Sequence, residues 1–99
     1  MNRRIVFSAR ADKDRDDIWD YTVGNWSVEQ AENYLMGLDR LLRSLGEQPQ
    51  IAREWRKVVP PVRIHRYQSR IVIFTADDTT LEVIRVVHSS SNWQALLAE

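Results

Sequence analysis

The sequence predicts an α+β domain with the element order β-α-α-β-β-β(-α), in which a helical hairpin packs on one face of a small, antiparallel-rich twisted sheet. Two observations support this class. Between residues 9 and 45, apolar side chains recur every three or four positions, which is typical of amphipathic helices. From residue 62 to residue 88 they alternate or form short β-branched runs between polar turns, which is typical of consecutive strands.

Length and composition favour one folded domain over residues 1–99. The chain is 43% apolar and 28% charged and has four tryptophans, which excludes a disordered or low-complexity segment. It lacks cysteine, so disulfides and thiolate metal sites are excluded, and a reducing cytoplasm is a suitable location. Apolar runs such as 71–74 are far shorter than the ~20 residues of a membrane span, so we expect a soluble protein.

The chain begins with a predicted strand over residues 3–8, because Ile5-Val6-Phe7 is a short β-like run. Ser8 can then accept the first backbone N–H groups of a helix over 9–25, which Gly24 is expected to end. Four aspartates between residues 12 and 17 lie near the start of this helix. We expect them to form a solvated face that compensates the helix dipole.

A second helix is predicted immediately after the first. Ser27 and Gln30 have the spacing of a capping box, in which the serine side chain accepts the Gln30 backbone N–H. Leucines at helical spacing then continue to Leu45, and Gly46 and Pro49 are expected to close the helix. Because the connection is only two or three residues long, the two helices must form an antiparallel hairpin.

The second half of the chain predicts a loop and a three-stranded antiparallel meander. Residues 50–61 show no period and contain Pro60-Pro61, so we expect a loop that carries Trp55. A short helix over 93–98 follows the strands, with Asn92 as its cap. Polar turns separate the three predicted strands, which are 62–66, 71–76 and 81–88.

Both faces of the central strands are predicted to be apolar, because 71–74 and 81–88 lack a polar side. The helical hairpin can cover one face only. The second face is covered either by Trp55 and Trp93 of this chain or by a partner protein, since a large apolar surface usually marks an interaction. The sequence leaves both arrangements open.

The charges are unevenly distributed along the chain. Net charge is zero and the pI is about 6.7, yet residues 53–70 contain six basic residues and one glutamate. A neutral chain is poorly equipped to neutralise many phosphates, so we expect no sequence-specific nucleic-acid binding by this chain alone. The basic segment could instead contact an acidic protein partner, or form a solvated loop and strand edge.

Three residues could together carry acid–base chemistry: Arg63, Arg85 and His88. If neighbouring strands bring the two guanidinium groups near the imidazole, they could hold a phosphate and move a proton during RNA cleavage. Alternatively, His88 bonds to the serine-rich turn that follows it, and Arg85 pairs with an acidic side chain. Two histidines on separate strands predict no metal site, and the absence of a glycine-rich phosphate loop predicts no cofactor.

A series of short motifs runs through nearly the whole chain. The most specific is Ile84-Arg85-Val86-Val87-His88, followed by Ser90 and Asn92. The others are Phe7-Ser8 with Ala11, Asp16-Asp17-Ile18-Trp19-Asp20-Tyr21, Trp26, Glu29-Gln30-Ala31, Tyr34, Leu38, Leu45, Pro49, Arg63 and Ile71-Val72-Ile73-Phe74. In this order and spacing they resemble the RelE/ParE superfamily of bacterial toxins, and specifically its ParE branch.

This resemblance implies the toxin of a type II toxin–antitoxin system, held inactive by a ParD-like antitoxin with a ribbon-helix-helix DNA-binding domain. The ParE branch implies non-catalytic inhibition of DNA gyrase in the bacterial cytoplasm, which blocks replication. RelE-type toxins instead cleave messenger RNA on the ribosome with basic and acid–base groups near the C-terminus. Because 89–99 contain no arginine, lysine or tyrosine, we favour gyrase inhibition. An mRNA endonuclease and a non-toxic interaction module are the alternatives.

Two sets of binding residues are expected. The antitoxin is expected to lie across the second sheet face and to contact Trp55, Arg63, Arg66, Ile73 and Arg85. The target is expected to contact His88, Ser90, Asn92 and Trp93. No residue is expected to be catalytic unless the chain is an endonuclease, for which the candidates are Arg63, Arg85 and His88.

Overall fold

The computed structural model describes residues 2–97, with two long helices on one face of a mixed sheet and a short helix on the other. Its elements are β1 (Arg4–Phe7), α1 (Ala9–Asn25), α2 (Val28–Glu47), a 3-10 turn (Pro49–Ile51), β2 (Arg53–Trp55), β3 (Val62–Tyr67), β4 (Arg70–Ala76), β5 (Thr80–His88) and α3 (Trp93–Leu97). The predicted α+β class and the order of its main elements are confirmed. The predicted end of the last helix, Ala98, lies outside the described residues.

The sheet of residues 2–97 has five strands in the order β1-β5-β4-β3-β2. The first and last strands of the chain are neighbours and run parallel, whereas every other pair is antiparallel. A parallel pair requires a long crossover connection. Here the helical hairpin carries the chain from β1 to the opposite edge of the sheet, where β2 begins, and β3 and β4 then lead back to β5 beside β1. Helices α1 and α2 therefore lie on the same sheet face.

Serines begin both long helices, as predicted. The Ala11 backbone N–H donates to Ser8 Oγ at 3.0 Å, and the Gln30 N–H donates to Ser27 Oγ at 3.0 Å. The predicted stop at Gly24 is wrong, because α1 continues through it to Asn25. The Trp26 N–H donates to the Thr22 carbonyl at 2.8 Å, so ordinary backbone bonding closes the last turn without a left-handed glycine. Gly46 likewise lies inside α2 and does not end it.

The predicted loop over 50–61 is wrong in its first half. It contains the 3-10 turn and the short strand β2, which pairs with β3 through Arg53–Ile64, Glu54–Arg63 and Trp55–Val62. A strand of three residues is too short to show alternation in the sequence, so only its pairing with β3 defines it.

The two faces of the sheet bury two separate apolar clusters. The larger cluster lies between the sheet and the helical hairpin and includes Ile18, Leu38, Leu42, Val72, Phe74, Leu81 and Val83. The smaller lies on the second face and includes Val62, Ile64, Ile73, Val87 and Trp93, with Trp55, Val58 and Leu96 packed against it. The rings of Trp55 and Trp93 meet edge to face, with centroids 5.1 Å apart. Of the two arrangements that the sequence left open, the chain therefore adopts the one in which it covers its own second face.

Helix α2 approaches β3 closely at Gly37. The Tyr67 hydroxyl donates to the Tyr34 carbonyl at 2.7 Å, and the two tyrosine rings are 4.9 Å apart. A Cβ atom at position 37 would overlap the Tyr67 hydroxyl oxygen, whereas the ring carbon behind it lies 3.3 Å away. The absence of a side chain at Gly37 therefore allows this tyrosine pair to form.

We expect Gly37→Ala to destabilise the fold by about 1–3 kcal/mol through overpacking, even though alanine is the better helix former by about 1 kcal/mol. Chemical denaturation of Gly37→Ala in the wild-type and Tyr67→Phe backgrounds measures this effect. The cost should fall sharply when the hydroxyl is absent, because the overlapping atom is removed. An equal cost in both backgrounds would show that the hydroxyl does not limit the space at Gly37.

Candidate functional site

The outer edge of β5 is covered in two different ways. Strand β1 pairs with Thr80 to Val83 only. Beyond that point the start of α1 replaces it: the Ser8 N–H donates to the Val83 carbonyl at 2.9 Å, and Ser8 Oγ donates to the Ile84 carbonyl at 2.7 Å. Asp14 Oδ2 then accepts the Val86 N–H at 2.9 Å. Ser8, which caps α1, and Asp14 within α1 thus satisfy backbone groups of β5 that β1 does not pair with.

Arg85 forms a two-point ion pair with the same aspartate. Its Nε lies 2.8 Å from Asp14 Oδ2, and its Nη2 lies 3.1 Å from Oδ1. The two side chains are only 19% and 11% exposed. The prediction that all the aspartates of 12–17 form a solvated face is therefore wrong for Asp14. Of the two alternatives for Arg85, pairing with an acidic side chain is the one observed.

A β-bulge accompanies this pair. Ile73 is opposite Arg85 and Phe74 is opposite Val83, so Ile84 is an extra residue on β5. A bulge redirects the side chains beside it and increases the local twist. Here it allows Arg85 to reach around the strand edge to Asp14. No periodic signal in the sequence marks the position of this bulge.

His88 ends β5 on the surface and bonds to the turn that follows. Its Nδ1 accepts the Ser90 backbone N–H at 3.1 Å and lies 2.7 Å from Ser90 Oγ. The His88 carbonyl accepts both the N–H and the hydroxyl of Ser91, at 3.0 and 2.6 Å. A neutral imidazole whose Nδ1 accepts a backbone N–H carries its proton on Nε2. His88 thus bonds to the serine turn that follows it, which is the second of the two alternatives given for this residue.

A shallow cleft of about 390 Å³ lies beside His88, lined also by Asp17, Tyr21, Ser69 and Arg70. Arg70 is opposite His88 in the β4–β5 pair. Its Nε is buried and has no hydrogen-bond partner within residues 2–97. The sequence did not identify this group of residues, because they come from three separate parts of the chain: α1, the turn leading into β4, and the end of β5.

Two tyrosines near the same end of the sheet have perturbed acidities. Burial raises the pKa of Tyr34, and the neighbouring charge of Arg70 partly opposes that rise. Burial also raises the pKa of Tyr67, with Gln68 and Arg40 acting in the opposite direction. Both phenols are therefore neutral near pH 7, and neither is prepared to act as a base.

The three endonuclease candidates are held apart. Arg63 Nη1 donates to the Ala52 carbonyl at 2.9 Å, toward β2. Arg85 instead bonds to Asp14, at the edge of β5 that faces away from β4. Strand β4 therefore separates the two guanidinium groups, and His88 faces its own serine turn. The structure does not gather these residues into one site.

The predicted antitoxin-binding residues do not share one face. Trp55, Arg66 and Ile73 are on the second face, because their strand partners belong to the smaller cluster. Arg63 is opposite Phe74, so it lies on the helix side. Strand alternation already implies this separation, since Arg63 and Arg66 are an odd number of residues apart. Ile73 is 0% exposed beneath the second-face cluster.

The predicted target-binding residues are divided as well. His88, Ser90 and Asn92 are exposed around the serine turn. Trp93 is only 8% exposed and packs against Trp55 on the second face. Both sets of binding residues stay predictions, and Trp93 has in addition a clear structural role.

No group of three or more histidine or acidic side chains within residues 2–97 is placed to hold a metal ion. None of the helices in this part of the chain is both long enough and apolar enough to cross a membrane.

Residues 2–97 thus form a small α+β domain in which a helical hairpin packs on a mixed sheet. The same fold occurs in a solved chain described as "Chromosomal ParDE TA system from P. aeruginosa", with a TM-score of 0.69, 18% identity and coverage of 87% of this chain and 95% of that chain. Residues 5–93 match the family described as "ParE toxin of type II toxin-antitoxin system, parDE". The chain belongs to this ParE toxin family.

Curated relatives agree with the family match. The chain is 30% identical over 89 residues to "Toxin ParE1" of Mycobacterium tuberculosis strain H37Rv, covering 89% of this chain and 91% of the relative. It is 33% identical over 90 residues to "Toxin ParE1" of Caulobacter vibrioides, covering 91% and 93%. The predicted membership of the ParE branch is confirmed.

Proposed function

We propose that this chain inhibits DNA gyrase without catalysis in the bacterial cytoplasm and is neutralised by a ParD-like antitoxin with a ribbon-helix-helix domain. The ParE family match over residues 5–93 is the observation that carries the proposal. The solved neighbour comes from a ParDE system, which supports a ParD-type partner. Inhibition of gyrase would block replication and stop growth.

The geometry of the polar residues favours a non-catalytic mode of action. An RNA-cleaving site needs cationic groups and an acid–base group that converge on one phosphate. Arg63 and Arg85 point to opposite sides of β4, and both donate hydrogen bonds within the fold. Residues 89–97 add no arginine, lysine or tyrosine. The proposed activity therefore depends on binding a target protein.

Purified protein at micromolar concentration should stop gyrase from supercoiling relaxed plasmid or cause cleaved complexes to accumulate. An equimolar amount of the antitoxin encoded beside it should restore supercoiling. Primer extension on translating ribosomes is the matched assay for the endonuclease alternative. Inert gyrase assays together with cleaved messenger RNA would replace the proposal by a RelE-type activity. No effect in either assay, and normal growth on induction, would favour the non-toxic module.

A further inference from the structure

The shallow cleft beside His88 has one wall on the sheet and one wall on α1. Arg70 and His88 are opposite each other in the β4–β5 pair, as the first residue of β4 and the last of β5. Each is two residues from a strand residue of the larger cluster, Val72 or Val86, so both side chains lie on the helix side of the sheet. The sheet wall is therefore the end of these two strands, facing the helical hairpin.

Helix α1 supplies the second wall through Asp17 and Tyr21. These residues are four positions apart, so their side chains lie on the same side of the helix. Tyr21 is 59% exposed and belongs to neither apolar cluster of residues 2–97. The Asp17 carboxylate is exposed and lies 3.5 Å from Lys13 Nζ. An exposed aromatic ring thus lies across the cleft from a guanidinium group.

The sheet wall carries three kinds of hydrogen-bond donor. The buried Nε of Arg70 has no hydrogen-bond partner in residues 2–97, and no carboxylate in this range forms an ion pair with its guanidinium group. His88 Nδ1 bonds to Ser90, so its Nε2–H can donate away from the turn. The Ser69 hydroxyl is exposed beside them, and its carbonyl accepts the Ser89 N–H at 2.8 Å, which ties this turn to the end of β5. An anion is the strongest acceptor for such a set of donors.

We propose that this cleft binds a mononucleotide, whose phosphate bonds to the donors of the sheet wall and whose base stacks on Tyr21. A phosphate monoester offers acceptor oxygens in several directions, which suits a guanidinium group, an imidazole N–H and a hydroxyl together. Exposed aromatic side chains stack on bases of any kind. Asp17 is placed to accept a hydrogen bond from a ribose hydroxyl or a base amino group. The cleft volume of about 390 Å³ is in the range of small-molecule sites.

Nucleotide binding at this cleft is separate from gyrase inhibition and does not depend on it. A single phosphate needs only one local cation. The zero net charge of the chain, which disfavours contact with many phosphates, therefore does not disfavour this ligand. Side chains hold the phosphate here, so no glycine-rich loop is required.

Titration of the ¹⁵N-labelled full chain, followed by amide chemical shifts at constant ionic strength, tests the site with four probes. These are adenosine 5′-monophosphate, ribose 5-phosphate, inorganic phosphate and adenosine. We expect the nucleotide to bind about tenfold more tightly than ribose 5-phosphate, because base stacking adds to the phosphate contact. The shifts should be largest around Tyr21, Ser69 and His88. Inorganic phosphate that binds as tightly as the nucleotide would reduce the cleft to a plain anion site, and adenosine that binds as tightly would remove the phosphate contact; either result would overturn the proposal.

Paired variants assign the two contacts. Arg70→Gln should weaken nucleotide binding about tenfold or more, whereas Arg43→Gln, an equal charge change at an exposed position of α2, should leave it unchanged. Equal losses in these two proteins would overturn a local phosphate site.

Tyr21 tests the site independently if Arg70→Gln folds poorly, because its side chain is exposed. Tyr21→Ala should lower the affinity for the nucleotide to that for ribose 5-phosphate and leave ribose 5-phosphate binding unchanged. Tyr21→Phe keeps the ring and should retain nucleotide binding. Nucleotide affinity that is the same in Tyr21→Ala and the wild type would overturn the stacking contact, and with it the proposed ligand.

Discussion

Replacing Asp14 by alanine is expected to destabilise the protein by about 3–5 kcal/mol, since it removes one partner of a largely buried ion pair. Arg85 would keep its charge at a position only 19% exposed, without the carboxylate that now bonds it at two points. The Val86 N–H would also lose its acceptor at the edge of β5. Because small domains are stable by roughly 5–15 kcal/mol, much of the fold's stability depends on this carboxylate.

Urea denaturation measures the effect, and two variants serve as controls. Asp14→Asn keeps an oxygen that can accept the Val86 N–H but loses the charge. Its free energy of unfolding should therefore lie between those of the wild type and Asp14→Ala. Asp17→Ala removes a neighbouring carboxylate whose pair with Lys13 is exposed at 62% and 77%. Its cost should be about 1 kcal/mol or less. If Asp14→Ala and Asp17→Ala cost the same, the edge-covering role of Asp14 is wrong.

The same pair affects how the predicted antitoxin contact of Arg85 can be tested. Arg85→Glu would place a second carboxylate against Asp14, and like charges at this distance disfavour the fold. A weaker complex would then reflect damage to the toxin as much as loss of a contact. Arg66→Glu is the cleaner substitution on the same sheet, because Arg66 is exposed and donates only to the Gln68 carbonyl among residues 2–97.

Local sequence signals predicted the parts of the fold that depend on local physics. Ser8 and Ser27 begin helices because a serine side chain can satisfy orphan N–H groups three residues away, and this chemistry needs no tertiary partner. The alternation after residue 62 similarly predicted β3. In each case the determinant lies within a few residues of the position that it defines.

Long-range pairing defines what the sequence did not predict. Asp14 and Arg85 are 71 positions apart, and their contact depends on a parallel β1–β5 pair and on a bulge at Ile84. Strand β2 exists because β3 supplies its partner groups. The separation of Arg63 from Arg66 could have been predicted, because alternate residues of a strand face opposite sides.

Replacing Trp93 by alanine is the second substitution with a large expected effect, about 3–5 kcal/mol of lost stability, as for other buried aromatic residues. Trp93 is 8% exposed and joins α3 to the second-face cluster around Ile73 and Val87. Its removal would leave a cavity between α3 and the sheet and would expose apolar strand residues to water. Thermal and urea denaturation should both report the loss, and Gln94→Ala, at an exposed neighbouring position of α3, should change stability little.

A conservative variant separates this structural role of Trp93 from the predicted contact with the target. Trp93→Phe keeps an aromatic ring in the cluster, so it should retain most of the stability that alanine loses. If the chain inhibits gyrase as proposed and Trp93 acts only within the fold, Trp93→Phe should keep the wild-type level of inhibition. A protein that stays folded but loses inhibition would instead indicate direct contact with the target.

The edge-to-face contact with Trp55 provides an independent measure of the same role. In a double-mutant cycle, Trp55→Ala and Trp93→Ala should couple by about 0.5–1.5 kcal/mol, the range for aromatic pairs of this geometry. Coupling of that size would mean that the chain holds α3 on its second face through this tryptophan pair. A coupling near zero would mean that each ring packs on the strands separately. In that case the packing of Trp93 on strand residues such as Ile73 and Val87, and not its contact with Trp55, would hold α3 on the sheet.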